Sequence, residues 1–292
     1  MEALVGVLLA LATALLWGSR EILLRSAFNT TRPVHGLFVT VAATFLISLV
    51  AAFFFSELTL WNRLTLGDVV LWATVGMLQF PVAMTLYYLG ISSVGASRSS
   101  VVSNVAAIAT PLLGMTLLGE PSTLTVAAGV FVAGAGIFAV SASDIDSSEW
   151  TWQKGMTYAL LAGLIWSIAN VLARFGFTGR MLPMTAVVIT AGAPLVPIVL
   201  YLISRGGGKD VFSAMKHSPQ LVSGCLLSAL GQVTLFAALS FASTVYVVPT
   251  YSTKSLVTVI LAYGIMPKSE RINKRVVIGA ILAISGIVLI NL

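Results

Sequence analysis

Long uncharged stretches recur along the whole chain, and they constrain its fold more than any other feature. About 20 consecutive apolar residues cross the hydrocarbon core of a bilayer as one helix. Backbone polar groups in lipid must bond internally, so such runs joined by short connections predict an all-α membrane protein. About ten runs are present, at roughly 3–25, 34–55, 68–88, 94–118, 124–142, 154–175, 182–203, 218–241, 245–267 and 274–291.

Composition supports the same class of protein. Hydrophobic residues make up 58% of the 292 positions and charged residues 9%, whereas a soluble domain carries about 25% charged residues. The net charge of +6 comes from residues at the ends of apolar runs, a pattern that fits membrane topology and predicts no nucleic-acid partner. Cys225, the one cysteine, lies inside an apolar run and excludes a disulfide framework. His35 and His217 have no cysteine or acidic neighbour at ligand spacing, so neither a metal nor a cofactor is expected.

The second half of the chain repeats the first. A shift of 149 residues places Trp17 on Trp166, Glu21 on Asn170 and Arg25 on Arg174. Near the end of each half, a shift of 150 gives further matches, namely Gly114 with Gly264, Glu120 with Glu270, Gly129 with Gly279 and Gly136 with Gly286. The pattern predicts two units, 1–143 and 150–292. With five helices each, an odd number, the second unit must be inverted, which gives ten transmembrane helices as two inverted five-helix repeats. Inverted repeats are typical of secondary transporters, whose substrate site lies near the midplane at the repeat interface.

Several stretches resemble the drug/metabolite transporter superfamily, specifically proteins with two EamA-like domains. They are "LLWGS" at Leu15–Ser19, the segment Tyr87–Pro121 with its "LGE" ending, and the paired "GVFVAGAGIFAV" and "GAILAISGIVLI". The resemblance covers the whole chain and implies a multi-pass transporter of the cell membrane. It does not specify a substrate, because such proteins are associated with amino acids, sugars, cations and phosphorylated metabolites.

Lys254 is the leading candidate for a substrate-binding residue. It stands about ten residues into the ninth run, near mid-membrane at a rise of 1.5 Å per residue. Intramembrane ionisable residues are costly and usually functional. The resemblance implies that the ninth helix lines the central cavity, where an ammonium group suits a carboxylate or phosphate. The alternative is a structural lysine paired with Glu21 or with backbone carbonyls.

Other charged residues fall into two groups. Arg98 and Asn104 lie on the fourth run, and Asn104 is the counterpart of Lys254 in the repeat. Both could converge on the same anion, or Arg98 could extend to the interface. Arg20, Glu21 and Arg25 cluster late in the first run, and the four-residue spacing favours a Glu21–Arg25 ion pair. Glu21 as a proton carrier that couples transport to protons is the other reading.

Uncharged polar and aromatic residues complete the predicted site. They are Tyr251, Trp17, Trp166, Gln79, Tyr87 and Tyr88. Tyr251 precedes Lys254 by three residues and shares its helical face. Packing is the alternative role for the two tryptophans.

The sequence therefore predicts a secondary transporter, a monomer or homodimer, that moves a small polar metabolite through a cavity between the repeats by alternating access. Anionic or zwitterionic substrates are favoured. A broad-specificity exporter of amino acids or hydrophobic compounds and a lipid-linked-sugar flippase remain alternatives. An enzyme is not expected, since no acidic metal cluster or nucleophile–base motif is present. Orientation stays open: positive charges favour a cytoplasmic location for the connection that follows the first helix, whereas the family resemblance places both termini in the cytoplasm.

Overall fold

A computed structural model describes residues 2–120, 123–141, 150–177, 182–265 and 274–290. Within these ranges the chain is helical and contains no strand. The α-helices are α1 Glu2–Ala27, α2 Pro33–Phe54, α3 Leu66–Met77, α4 Thr85–Val94, α5 Ala96–Ser103, α6 Ala106–Leu118, α7 Leu124–Ser141, α8 Trp150–Phe177, α9 Pro183–Ser204, α10 Gly208–His217, α11 Pro219–Phe241, α12 Thr244–Ser252, α13 Lys254–Ile265 and α14 Lys274–Ile290. A 3-10 helix occupies Glu57–Arg63 and a π-helix occupies Leu78–Met84.

Eight helical segments of the described chain are long and apolar enough to cross a membrane. They are Ala3–Ala27, Pro33–Phe54, Leu66–Val94, Ala96–Leu118, Gln153–Phe177, Pro183–Ser204, Pro219–Phe241 and Thr244–Ile265. These match eight of the ten predicted runs within a few residues. The other two runs coincide with α7 and α14, which are helical but are not among the eight; in α14 the apolar stretch is the shorter Val277–Gly286.

Three of the eight segments are not regular α-helices from end to end. Pro81 lies inside the π-helix that joins α3 to α4, as expected where a proline removes a main-chain hydrogen bond. The segment Ala96–Leu118 is divided into α5 and α6, and Thr244–Ile265 is divided into α12 and α13. The sequence predicted single helices at these two places, so the two breaks are a new finding.

In each half, one short helix follows the second spanning helix. The 3-10 helix Glu57–Arg63 follows α2, and α10 follows α9. The carboxylate of Glu57 is buried and accepts hydrogen bonds from the N–H groups of Met184 (3.2 Å) and Thr185 (2.7 Å), which closes the N-terminus of α9. Carboxylates are favoured there because the first turn leaves N–H groups unpaired and carries partial positive charge.

The main packing contacts join one half of the chain to the other. The largest interfaces are α1 with α11, α7 with α14, and α2 with α9. Further contacts place α1 against α12 and α13, and α8 against α4, α5 and α6. The buried core therefore lies between the halves, with both helix breaks inside it.

Glycines permit the closest approach at the two breaks. A side chain at Gly18 of α1 would meet the carbonyl oxygen of Lys254 at 2.8 Å, and one at Gly163 of α8 would meet the carbonyl oxygen of Ser103 at 2.5 Å. Both separations are shorter than van der Waals contact, so these positions bring main chain directly against main chain.

Candidate functional site

The two helix breaks occupy equivalent positions in the two halves. In the first, the N–H groups of Asn104 and Val105 bond three residues back, each at 3.1 Å, and in the second Thr253 does the same at 3.2 Å. A shift of 150 residues superposes Asn104 on Lys254. The amide of Asn104 donates to the Ser252 carbonyl (3.0 Å) and to Ser255 Oγ (2.9 Å). One side chain therefore ties the first break directly to the second.

Lys254, the first residue of α13, is buried with 3% of its side chain exposed. Its Nζ lies 3.4 Å from Glu21 Oε1. Three aromatic rings surround the ammonium group, with centroids at 4.9 Å for Tyr87, 5.3 Å for Trp166 and 5.7 Å for Trp17. A desolvated cation gains from the negative face of such rings. The counter-ion and the rings together offset part of the desolvation cost of the lysine.

Glu21 is fully buried and contacts Lys254, one of its two predicted partners, but not Arg25, the other. Its carboxylate accepts hydrogen bonds from Tyr87 Oη and from Thr258 Oγ1, the latter at 2.5 Å. Arg25, by contrast, donates to the carbonyls of Ile91 and Ser92, both at 3.0 Å. The Glu21–Arg25 pair expected from the four-residue spacing is therefore replaced by tertiary contacts. The buried Glu21 carboxylate contacts Lys254, and the carbonyls in the last turn of α4 accept hydrogen bonds from the Arg25 guanidinium.

Arg20 places a second cation beside this group. Its side chain is buried, its Nη1 donates to Ser228 Oγ at 2.5 Å, and its guanidinium lies 4.6 Å from the Trp17 ring centroid. Trp17 Nε1 in turn donates to the Ser228 carbonyl at 3.1 Å. Arg20, Glu21 and Lys254 thus combine two cations with one carboxylate, and the group carries an excess positive charge.

A narrow cavity adjoins these residues. It is lined by Trp17, Arg20, Gln79, Met84, Trp166, Asn170, Gln232, Leu235 and Tyr251. Its volume of about 10 Å³ leaves room for about one water molecule. Gln232 donates to Gln79 Oε1 (2.7 Å) across the two halves, and Asn170 donates to Tyr251 Oη (2.9 Å) within the second half. Both hydrogen bonds join residues that line the cavity.

The structure brings most of the predicted site residues together. Around Lys254 and the cavity lie Trp17, Arg20, Glu21, Gln79, Tyr87, Trp166 and Tyr251. Asn104 joins them through the helix break. Three predicted residues point elsewhere: Tyr88 pairs with Thr40 Oγ1 at 3.0 Å, Arg98 is buried in α5 without lining the cavity, and Arg25 binds the end of α4.

Two residues of the site were missed by sequence reasoning. Thr258 follows Lys254 by four residues, so helical spacing could have placed both on one face. Ser228, the partner of Arg20 and Trp17, had no distinguishing signal in an apolar run, because its role depends on the packing of α11 against α1.

A second polar cluster lies where the end of α6 meets the start of α12. Glu120 accepts hydrogen bonds from Thr244 N (3.0 Å), Thr244 Oγ1 (2.5 Å) and Val245 N (3.3 Å). Arg174 Nε lies 3.5 Å from the same carboxylate, and Arg174 Nη1 donates to the Leu239 carbonyl at 2.8 Å. In the first half Arg25 bonds the end of α4 in the same manner, which matches its alignment with Arg174. Glu270, the counterpart of Glu120, lies outside the described residues.

These features define a multi-pass helical membrane protein with a charged site buried between two related halves. The model of the EamA-like transporter family matches the chain twice, over residues 4–142 and 153–292. The chain therefore belongs to the EamA-like transporter family, which confirms the predicted resemblance to proteins with two EamA-like domains and identifies a membrane transport protein.

Structural comparison gives the same fold at low sequence similarity. A crystal structure of another protein superposes with a TM-score of 0.71 over 98% of each chain, at 15% sequence identity. At that identity the similarity establishes the fold alone. No curated protein sequence matches the chain significantly.

Proposed function

We propose that the protein is a secondary transporter of the cell membrane that moves a small anionic or zwitterionic metabolite by alternating access. Its ten helices form two inverted five-helix repeats, and the substrate binds between them beside Lys254. Rocking of one repeat against the other exposes this site to each side in turn.

The observation that carries the proposal is the excess positive charge between the halves. Lys254 and Arg20 are both buried, and Glu21 supplies a single carboxylate. Burying a charge without full compensation costs several kcal/mol, and a carboxylate or phosphate of the substrate would supply the missing negative charge. Substrate binding would then offset the free-energy cost of the uncompensated buried charge.

The helix breaks support the location of the site. Discontinuous helices at mid-membrane expose main-chain groups that bind substrates in many transporters, and Lys254 begins the second segment of such a helix. The cavity here holds only about one water. A metabolite therefore requires the halves to separate, which breaks the Gln232–Gln79 hydrogen bond between them and couples binding to motion.

A second candidate is a broad-specificity exporter in which Lys254 is purely structural. The 3.4 Å approach of Lys254 to Glu21 and the surrounding aromatic rings favour this alternative. Here the rings of Trp17, Tyr87 and Trp166 would contact amino acids or hydrophobic compounds, and the ion pair would hold the helices together.

Ligand-induced thermal stabilisation of the purified protein tests the two functions. The panel spans phosphates, carboxylates, amino acids, sugars and organic cations. A ligand at about 100 times its dissociation constant stabilises a protein by about 2.7 kcal/mol, enough for a measurable shift in Tm. The informative variant is the double substitution Lys254→Met with Glu21→Gln, because it removes both charges of the pair together and leaves neither as a buried charge without its partner.

The proposal expects anions to stabilise the wild-type protein and to lose this effect in the double variant. Flux of the responding compound into proteoliposomes then identifies the substrate. If anions stabilise both proteins equally, Lys254 is a structural residue. If only neutral or cationic compounds stabilise the wild type, the broad exporter replaces the anion transporter.

A further inference from the structure

Two depressions lie on opposite flanks of the short helix α10. On one flank a polar cleft of about 570 Å³ is lined by Asp210, Ser213 and His217 of α10, and by Arg32 and His35 at the start of α2. On the other flank an apolar groove of about 300 Å³ is lined by Phe212 and Met215 of α10, with Phe38 and Leu202 behind them. Residues three and four apart share a helical face, so α10 presents a polar face to the cleft and an apolar face to the groove.

The internal repeat shows what the polar cleft lacks. Helices α2 and α9 begin alike, with Pro33 and Pro183 at equivalent positions. At α9 the chain supplies its own anion, because Glu57 accepts hydrogen bonds from two N–H groups of the first turn. At α2 no side chain caps the first turn, which borders the cleft. Helix N-termini attract carboxylates and phosphates, so an anion from outside the chain can take the place that Glu57 takes at α9.

A buried histidine points to the same ligand. His35 is 8% exposed, lines the cleft, and its Nδ1 has no hydrogen-bond partner. A buried polar atom without a partner is costly, and an anionic oxygen in the cleft would accept a hydrogen bond from it. Arg32 is exposed at the rim and adds a guanidinium, a group suited to phosphate.

Asp210 is the opposing charge in the cleft. It is exposed and lies in the first turn of α10, where its carboxylate complements the N-terminus of its own helix. Its carboxylate offsets the charge of Arg32, so binding of an anion rests on the N–H groups of the first turn of α2 and on hydrogen bonds from Arg32 and His35.

The apolar groove specifies the rest of the ligand. It runs beside the last turns of α9, which ends at Ser204, and its walls include Phe212, 71% exposed, and Ile203, 70% exposed. His35 and Phe38 lie one turn apart on α2, with about 5–6 Å between Cβ atoms at that spacing, so the cleft and the groove come close together at α2 on the two sides of α10. A phosphate next to a slot for hydrocarbon, at the end of a membrane-spanning helix, matches a phospholipid.

We propose that α10 holds one anionic phospholipid, with the phosphate in the cleft at Arg32 and His35 and an acyl chain in the groove along Phe212. Basic pockets at the ends of membrane helices recognise anionic headgroups in this way. The site is separate from the buried cluster at Lys254, and the inference does not depend on the transported substrate.

Titration of the purified full chain with phosphatidylglycerol in a nonionic detergent, read out as Tm, tests the site. Phosphatidylcholine and inorganic phosphate are titrated in parallel. We expect phosphatidylglycerol to raise Tm at lower concentrations than phosphatidylcholine. Arg32→Ala should raise the half-saturating concentration roughly tenfold, the loss typical of one charge-assisted hydrogen bond. Phe212→Ala should raise it several-fold, and Asp210→Asn should lower it.

The matched control is Lys216→Ala, which removes an exposed cation from the same helix but from neither depression. An equal loss in Lys216→Ala and Arg32→Ala would show diffuse surface attraction and overturn the site. Equal stabilisation by phosphatidylcholine would overturn headgroup recognition. If inorganic phosphate raises Tm as much as phosphatidylglycerol does, the cleft binds free anions, and the proposal of a phospholipid ligand is wrong.

Discussion

The two helix breaks differ in one decisive residue, although they share position, geometry and neighbours. At the break between α12 and α13 the chain carries Lys254, which needs a counter-ion and an aromatic surround. At the break between α5 and α6 the matching residue is Asn104, whose Nδ2 donates to the Ser252 carbonyl and to Ser255 Oγ and which needs no counter-ion. The same backbone irregularity therefore serves two purposes. One break carries a buried charge, which we propose binds the substrate, and the other contributes the side chain that ties the two breaks together.

Removing the charge from the second break should have the largest effect on stability. Lys254→Met leaves Glu21 buried without its cation, and breaking a buried ion pair costs about 3–5 kcal/mol. The free energy of unfolding measured in a denaturing-detergent titration checks this. Adding Glu21→Gln should restore most of the loss; if it does not, packing rather than charge explains the effect.

The second-largest loss of stability is expected at the polar cluster around Glu120. Glu120→Gln removes a charged acceptor from the start of α12 and from Arg174, and hydrogen bonds to charged groups contribute about 2 kcal/mol. The same unfolding titration measures the loss. Arg174→Gln is the matched control and should cost less, because its side chain is 24% exposed whereas that of Glu120 is 8% exposed. Equal costs would show that the Arg174–Glu120 contact dominates over capping.

A smaller effect is expected at the first break. Asn104→Ala removes two hydrogen bonds, and side-chain hydrogen bonds between membrane helices contribute about 0.6–2 kcal/mol. Asn104→Lys makes the two breaks alike in residue type and should destabilise the protein more, because it buries a second ammonium group without a carboxylate. Similar stability in both variants would argue against the division of roles between the breaks.

The smallest effect concerns Asn170, the counterpart of Glu21. Asn170→Ala removes one hydrogen bond to Tyr251, for which about 0.6 kcal/mol is the expected loss. Because this bond lies within the second half, it does not hold the two halves together, and the variant should open no faster than the wild type. Labelling of a cysteine introduced at Met84, which lines the cavity, measures the rate of opening, and faster labelling in the Asn170→Ala background would contradict this expectation.

Much of the architecture was accessible from sequence because lipid imposes simple requirements. A run of about 20 apolar residues predicts a spanning helix, and eight runs agree with segments of the structure. The breaks were not predictable, since the residues at 103–105 and 253 include no proline or glycine, the usual signals of a helix break. Helix α10 was also missed, because the glycines before it read as a loop.

The contacts within the candidate site could also be predicted only in part from the sequence. Helical spacing predicted Glu21 with Arg25, but spacing on one helix cannot reveal the carbonyls of α4 or the lysine of α13. The alternative that pairs Lys254 with Glu21 required both residues to lie at the same depth in adjacent helices. That information resides in packing between the halves, and a single sequence does not contain it.

Gly18 and Gly163 have a consequence for how such a chain can change over time. At both positions main chain meets main chain, so any larger residue would push a helix break away from its neighbour. Leu4, Leu8 and Leu15, on the same helix as Gly18, are 62%, 56% and 60% exposed and can be exchanged for other apolar residues. Substitutions on α1 are therefore tolerated on its outer face and restricted at inner positions such as Gly6 and Gly18. Related chains could therefore differ widely in the exposed residues of α1 while the geometry around the two breaks stayed the same.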